Sequence, residues 1–453
     1  MTPRQEQIVR NVERSRELII TALDWLWQHP QTGFTEWEAS DYLKEKFQAL
    51  GYELTLAGNI PGFYTDIDTG IPGPRLCIMG EMDALDIANH PESVNGMTHC
   101  CGHHAQSAAL LGIAAALKAP GALDGLCGSI RLMATPAEEM IQLEFREELR
   151  RQGVIKYYSG KVEFMSRGFF DGVDIALMVH GDSDENYDFK CTLGNNGSIA
   201  KTFTYRGVSS HAGGSPHLGI NAQYAAMLGI QACNDLRETF IDTETIRFHP
   251  IMKGVNCAVN VIPDEMKLES FVRGRTMEAM KRENVKINRA LTGGALAMGA
   301  RLELCDRLGY SPEVHDLDYM ELVEQCCCDL VGADRVDFDP GKWGTISSDF
   351  GDVTSVMPGV QFFTMGAHGA LHSTDYHVIS SDRICLNSSK AQLFVADALL
   401  SNGAENAWRI IKNYKAPYPS MEAYFADVDK LMLDKDAVKY APDGSVTVDF
   451  QNL

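Results

Sequence analysis

PRLCIMG (74–80), HAQSAALLGIAAALKA (104–119), GSIRLMAT (128–135) and VDIALMVH (173–180) are the segments that decide the fold. The first, third and fourth are short apolar runs without polar alternation, as expected of strands buried on both faces. The second is rich in alanine and leucine and is followed by Pro120 and Gly121, so it reads as a buried helix with a marked end. Strands interleaved with helices predict an α/β domain with a mostly parallel sheet.

Upstream, Ile8, Val12, Leu18, Ile19, Leu23 and Leu26 recur at helical spacing and predict a helix over 4–28. Residues 37–50 predict a second, stopped by Gly51. Downstream the pattern changes. Residues 194–207 and 259–275 alternate with period two, while 220–240 and 276–300 read as helices. This is the pattern of an α+β layer with one solvated sheet face. We place it as an inserted domain at 196–312, with 1–195 and 313–410 forming the first domain. Residues 411–453, Pro/Tyr-rich and then acidic, are a C-terminal extension with no assignable role.

The chain has 453 residues, enough for two or three domains. Its 61 acidic and 40 basic residues give a net charge of -21. Phosphate binding needs clustered Lys and Arg, so nucleic acid and anionic membrane surfaces are not expected partners. No apolar run approaches the roughly 20 residues that span a bilayer. The N-terminus lacks a signal-peptide pattern, and 12 cysteines in a chain this long do not form a disulfide framework. The expectation is a reduced, cytoplasmic protein.

Chemistry concentrates at the ends of the apolar strands. His99-Cys100-Cys101-Gly102-His103-His104 precedes the alanine-rich helix. A thiolate and an imidazole two positions apart, on a loop turned by Gly102, suit Zn or another transition metal. A helix N-terminus beside them would favour the thiolate. Glu138 and Glu139 follow the strand ending at Thr135. One could bind metal while the other acts as general base, although an acidic first helical turn is the plainer reading of the pair taken alone. Asp83 and His180 also end strands, and His372 and His377 follow the strand-like FFTMG. Singly, each reads as a turn residue or an ordinary satisfied histidine. In a parallel sheet, however, the strand ends converge on one crevice. So many ligand-type groups at one address suggest two metal ions, since a structural zinc needs only four ligands.

These residues lie in linked motifs: HPQTGFTEWEASDYLKEKFQALGYEL (29–54), GEMDAL (80–85), HCCGHHAQSAALLGIAAAL (99–117), TPAEE (135–139) and FDGVDIALMVH (170–180). They continue with GVSSHAGGSPHLGINAQYAA (207–226), NVIPD (260–264) and SSDFGDVTSVMPG (347–359). In this order they resemble the dinuclear metallo-amidohydrolases that include aminoacylases, hippurate hydrolase and auxin-conjugate hydrolases. The resemblance covers about residues 20–410 and is strongest to the p-aminobenzoyl-glutamate hydrolase branch. It implies a parallel-sheet metallopeptidase (phosphorylase/hydrolase-like) catalytic domain with an inserted α+β dimerisation, or lid, domain. It further implies two divalent ions, Zn or Mn, with Cys101 bridging them and His103, Glu139, His180 and His372 completing the shell. Glu138 would be the general base and Asp83 would orient a ligand histidine. His211 would reach the active site of a partner subunit in a homodimer and polarise the scissile carbonyl. Asn260 and Arg273 would contact the carboxylate of a small amide substrate, with Arg275 a rival.

The sequence departs from the family at His104, where Asp or Asn is usual, at Gly181-Asp182, where Pro is common, and in a longer segment at 140–160 that lies next to the Glu pair. Cys326-Cys327-Cys328 matches no motif and reads as part of a helix. The expected reaction is hydrolysis of an N-acyl or N-aroyl amino acid. Hydrolytic deamination of an amino-aromatic compound and a non-catalytic binding subunit are the alternatives.

Overall fold

The computed structural model describes residues 1–254 and 258–450. The chain divides into two compact units. The first comprises Met1–Gly194, Val314–Gly344 and Asp352–Pro417; the second comprises Asn195–Glu313, Thr345–Gly351 and Tyr418–Leu453.

In the first unit, Ser129–Thr135, Arg75–Glu81, Ile175–Asp182 and Gly359–Met365 lie side by side in that order, all parallel. Phe63–Asp68 pairs antiparallel with Ser129–Thr135 on one side of this block and Phe189–Asn195 with Gly359–Met365 on the other. The sheet is therefore largely parallel, as the alternation of strands and helices predicts. Its central strands are buried along almost their whole length, which explains their uninterrupted apolar character. Full burial of each Leu or Ile contributes roughly 1.5–3 kcal/mol.

The helix His103–Leu117 packs on this sheet and buries all but Ala115. A helix apolar all round has no surface stripe, which is why its sequence shows no 3.6-residue polarity. The expected helix over 4–28 is two helices, Pro3–Arg14 and Arg16–Gln28, separated at Ser15. Thr2 caps the first in a reciprocal capping box with Gln5. The three consecutive cysteines lie in the helix Leu317–Val331.

The second unit is an antiparallel sheet. Glu265–Gly274 pairs with Gly197–Arg206, which pairs with Arg301–Tyr310. Alternate residues of Glu265–Gly274 are buried, and the helices Ala222–Asp235 and Met277–Met298 pack against these strands. The tail, for which the sequence suggests no role, supplies Leu433–Tyr440 and Val446–Val448 to the same sheet. Inside this unit the Lys201 ammonium and Asp306 carboxylate are fully buried as an ion pair, completed by Asn284 and Asn288.

Candidate metal centre and active site

The parallel strands of the first unit deliver their functional residues from their C-terminal ends, the place where such sheets open a crevice. Arg75–Glu81 ends in Glu81 and continues to Asp83; Ser129–Thr135 leads to Glu138 and Glu139; Ile175–Asp182 carries His180 near its end; Gly359–Met365 leads to His372. Gly102, at φ 84°, turns the chain into the helix that begins at His103. A side chain at Gly102 would come within 2.8 Å of the Tyr376 hydroxyl, so both conformation and space require glycine.

These turns bring Cys101, His103, His180, Glu138, Glu139 and His372 together. Cys101, His103 and His180 form one set whose ligand atoms all lie within 4.8 Å of one another. Cys101, Glu139 and His372 form a second such set, and His103, Glu138 and Glu139 a third. Cys101 thus belongs to two sets. Its Sγ lies 3.4 Å from His180 Nε2 and 3.3 Å from His372 Nε2. His372 Nε2 is also 3.1 Å from Glu139 Oε1.

Two of the imidazoles are held with Nε2 facing the cluster. His103 Nδ1 lies 2.9 Å from the Asp83 carbonyl and 3.0 Å from its carboxylate. His180 Nδ1 lies 2.7 Å from the Gly181 carbonyl. Donation from Nδ1 leaves Nε2 of both able to ligate a metal. The other carboxylate oxygen of Asp83 accepts from the Glu139 amide at 2.8 Å, so one side chain fixes both the His103 ring and the Glu139 backbone. The acidic pair is therefore not a solvated helix start: both residues are buried in the turn between strand and helix.

The electrostatics favour a cation. Burial works to raise the Asp83 carboxyl, but His103, the Glu139 amide and Arg146 outweigh it and bring it down to about 2. Burial works against the charge on His103 too, yet Glu81, Asp83 and Glu139 hold its pKa well above the ordinary value. For Cys101, burial and the neighbouring Glu139 and Glu138 push the thiol well above its usual range. The helix N-terminus does not offset them; a coordinating cation, by taking the proton's place, would. The carboxylates of Glu36, Glu81, Asp83, Glu138 and Glu139 are all buried, and Glu81 pairs with the buried Lys161. His103 Nε2 and Glu139 Oε1 are buried without a hydrogen bond of good geometry. A soft thiolate, imidazoles and carboxylates around such atoms fit a divalent transition metal.

Glu81 and Lys161 escaped the sequence reading. Glu81 is fully buried, with one oxygen 3.2 Å from His103 Nε2 and 2.7 Å from Gln106 Nε2. Its other oxygen pairs with the buried Lys161 ammonium. The available signal was a lone acid ending an apolar strand, two residues before Asp83. His104 is buried, its ring centroid 5.0 Å from that of Trp27 and 5.2 Å from that of His99. Burial keeps its pKa well below the ordinary value, so it sits there neutral. His377 is exposed and pairs with His368 across a short two-stranded ribbon.

His211, Asn260 and Arg273 belong to the second unit. His211 is exposed, and its Nδ1 accepts from the Gly214 amide at 2.8 Å. The segments carrying His211 and Asn260 are joined, the Ala212 amide donating to the Asn260 carbonyl at 2.9 Å. Arg273 lies over the Phe271 ring and donates to Ser347 at 3.0 Å.

Comparison with known proteins gives the family and the fold. The chain is 27% identical over 303 residues to one of the p-aminobenzoyl-glutamate hydrolase subunits of Escherichia coli, a match covering 64% of this chain and 58% of that protein. It is 27% identical over 299 residues to the human Xaa-Arg dipeptidase, covering 63% and 61%. The matches thus span about three fifths of these relatives' own length. Among solved structures, a dinuclear metal-binding peptidase of the M20 family from Bacillus subtilis shares the fold, with a TM-score of 0.61 at 18% identity over 86% of this chain and 99% of that one. Residues 77–386, most of the chain, match the model of peptidase family M20/M25/M40. With that match and the fold in agreement, this chain belongs to peptidase family M20/M25/M40.

Proposed function

We propose that this protein is a dinuclear metallo-amidohydrolase that cleaves the amide bond of an N-acyl or N-aroyl amino acid. The observation that carries the reading is the sharing of Cys101 between two sets of ligand atoms, with Glu138 buried at their side. Cys101, His103 and His180 would hold one divalent ion, and Cys101, Glu139 and His372 the other. The thiolate favours Zn, while imidazole and carboxylate also suit Mn. When bound, such ions bring the pKa of a coordinated water toward about 7 and polarise a carbonyl oxygen.

The chain's own residues supply the rest. Glu138 accepts the proton of the attacking water and delivers it to the leaving amine nitrogen. Asp83 holds His103 in the ligand tautomer and aligns Glu139 through its amide. His211 of the partner subunit donates to the carbonyl oxygen as negative charge develops there. Arg273 and Asn260 receive the substrate's carboxylate. The net charge of -21 does not oppose this, because at physiological salt charges beyond about 8 Å are largely screened. Pairing through the second unit is supported by the exposed Tyr224, Met227 and Leu228 on the helix Ala222–Asp235.

The names of the relatives, p-aminobenzoyl-glutamate hydrolase and Xaa-Arg dipeptidase, share cleavage of an amide to an amino acid. The test is a mass-spectrometric panel of N-acyl amino acids, p-aminobenzoyl-glutamate, dipeptides and amino-aromatics on the purified chain resupplied with Zn or Mn. Metal-dependent release of a free amino acid is expected. Ammonia without amide cleavage would replace the reading with deamination, and silence across the panel would point to a binding subunit.

A further inference from the structure

The segment 140–160 after the Glu pair forms the helix Leu143–Arg151 and leads to the helix that begins at Gly160. Two residues of that helix face inward, Leu143 and Arg146. Arg146 is 1% exposed, and its guanidinium is spent on main-chain carbonyls. It donates to the carbonyls of Glu139 and Tyr158, to Ile141 at 2.9 Å and to Ala137 at 3.3 Å.

The turn it grips is unusual. Ala137, immediately before Glu138, has φ 55°, a left-handed conformation that a residue with a side chain keeps only when its surroundings impose it. The Ala137 amide donates to the buried Glu36 carboxylate at 2.7 Å, and its carbonyl accepts from the Gly160 amide at 3.1 Å. The Glu139 amide is held by Asp83 at 2.8 Å. Gly33 leaves the guanidinium its place: a Cβ there would lie 2.5 Å from Arg146 Nη2 and 2.9 Å from Ala137 Cα.

We infer that Arg146 is a positioning residue, and that the segment 140–160 braces the Ala137–Glu139 turn, with Glu36 as the opposing anchor, so that Glu138 and Glu139 keep their aim. Arginine suits the task because its planar fork offers five donors at fixed angles, whereas a lysine reaches fewer carbonyls and holds them without that geometry. The inference rests on the assignment of Glu138 as base and Glu139 as ligand given above.

The test compares Arg146→Met, Arg146→Lys and Glu138→Ala with the parent full-length protein. Zn(II) affinity is measured by competition with a chelating indicator, amide exchange across 137–141 by mass spectrometry, and kcat and KM on the amide that the parent turns over. For Arg146→Met the expected result is a loss in Zn(II) affinity of about tenfold or more for one ion. Faster exchange in 137–141 and a kcat about 100-fold lower, with KM nearly unchanged, should accompany it. Arg146→Lys should fall between, recovering part of each. Parent-like affinity, exchange and kcat in Arg146→Met would overturn the inference. If Arg146→Met does not fold, Arg146→Lys decides in the same way, and parent-like values on all three readouts would overturn it. Full turnover by Glu138→Ala would remove the base assignment alone, because the affinity and exchange readouts act through Glu139 and the turn.

Discussion

The Asp83 carboxylate lies 3.0 Å from His103 Nδ1 and, through its second oxygen, 2.8 Å from the Glu139 amide. One buried side chain thereby sets two of the groups that would bind metal. Asp83→Asn keeps the shape but removes the charge that holds the imidazole. Metal affinity should fall about 10- to 100-fold, read by chelator competition, while the fold is retained. Parent-like affinity would show that Asp83 does not orient a ligand.

Cys101 should be exchangeable for another bridging group and not for a small apolar one. Cys101→Asp is expected to retain two ions per chain, measured by elemental analysis, and part of the activity. Cys101→Ala should lose at least one ion. Two tightly held ions in Cys101→Ala would deny the shared role.

The ends of the parallel strands were readable because the buried strands are plain apolar runs and their ends are punctuated by Asp83, the Glu138-Glu139 pair and His180. The groups that support them were not. Glu36 sits in the 29–54 motif just before the helix expected at 37–50, and Arg146 and Lys161 carry no motif of their own. Each acts by burial against a segment distant in sequence, which local periodicity does not register. The break at Ser15 has no glycine or proline to mark it. The strand Leu433–Tyr440 carries Asp434, Lys435 and Asp436 in succession, which hides its period of two.

Stability of the second unit should depend on Lys201. Both Lys201 and Asp306 are fully buried, so removing one partner leaves an uncompensated charge. Lys201→Met is expected to destabilise by about 3–5 kcal/mol in urea unfolding. Replacement of both residues by apolar ones should cost much less than the sum of the single changes. Equal costs would mean that the pair is not coupled.

Asp188 gives a pH signature away from the metal site. Burial works to raise its carboxyl, but Arg335 and Arg383 outweigh it and hold the pKa below the ordinary 3.8. A carboxyl depressed in the folded state contributes stability above its unfolded pKa and loses it as pH falls through the folded one. Asp188→Asn should therefore cost about 2 kcal/mol near neutral pH. The difference from the parent should shrink steadily below about pH 4. A difference that stays constant to acid pH would rule out the ion pair as its source.

The most direct measurement pairs activity with metal content in one sample. Parent and Glu138→Gln, each resupplied with Zn or Mn, are assayed for amino acid released from an N-acyl amino acid while bound metal is counted. Two ions in both proteins are expected, with release by the parent and a rate at least about 100-fold lower for Glu138→Gln. A Glu138→Gln protein that hydrolyses the amide at the parent's rate, or a parent that holds two ions and releases no amino acid from any amide, would contradict the proposed chemistry.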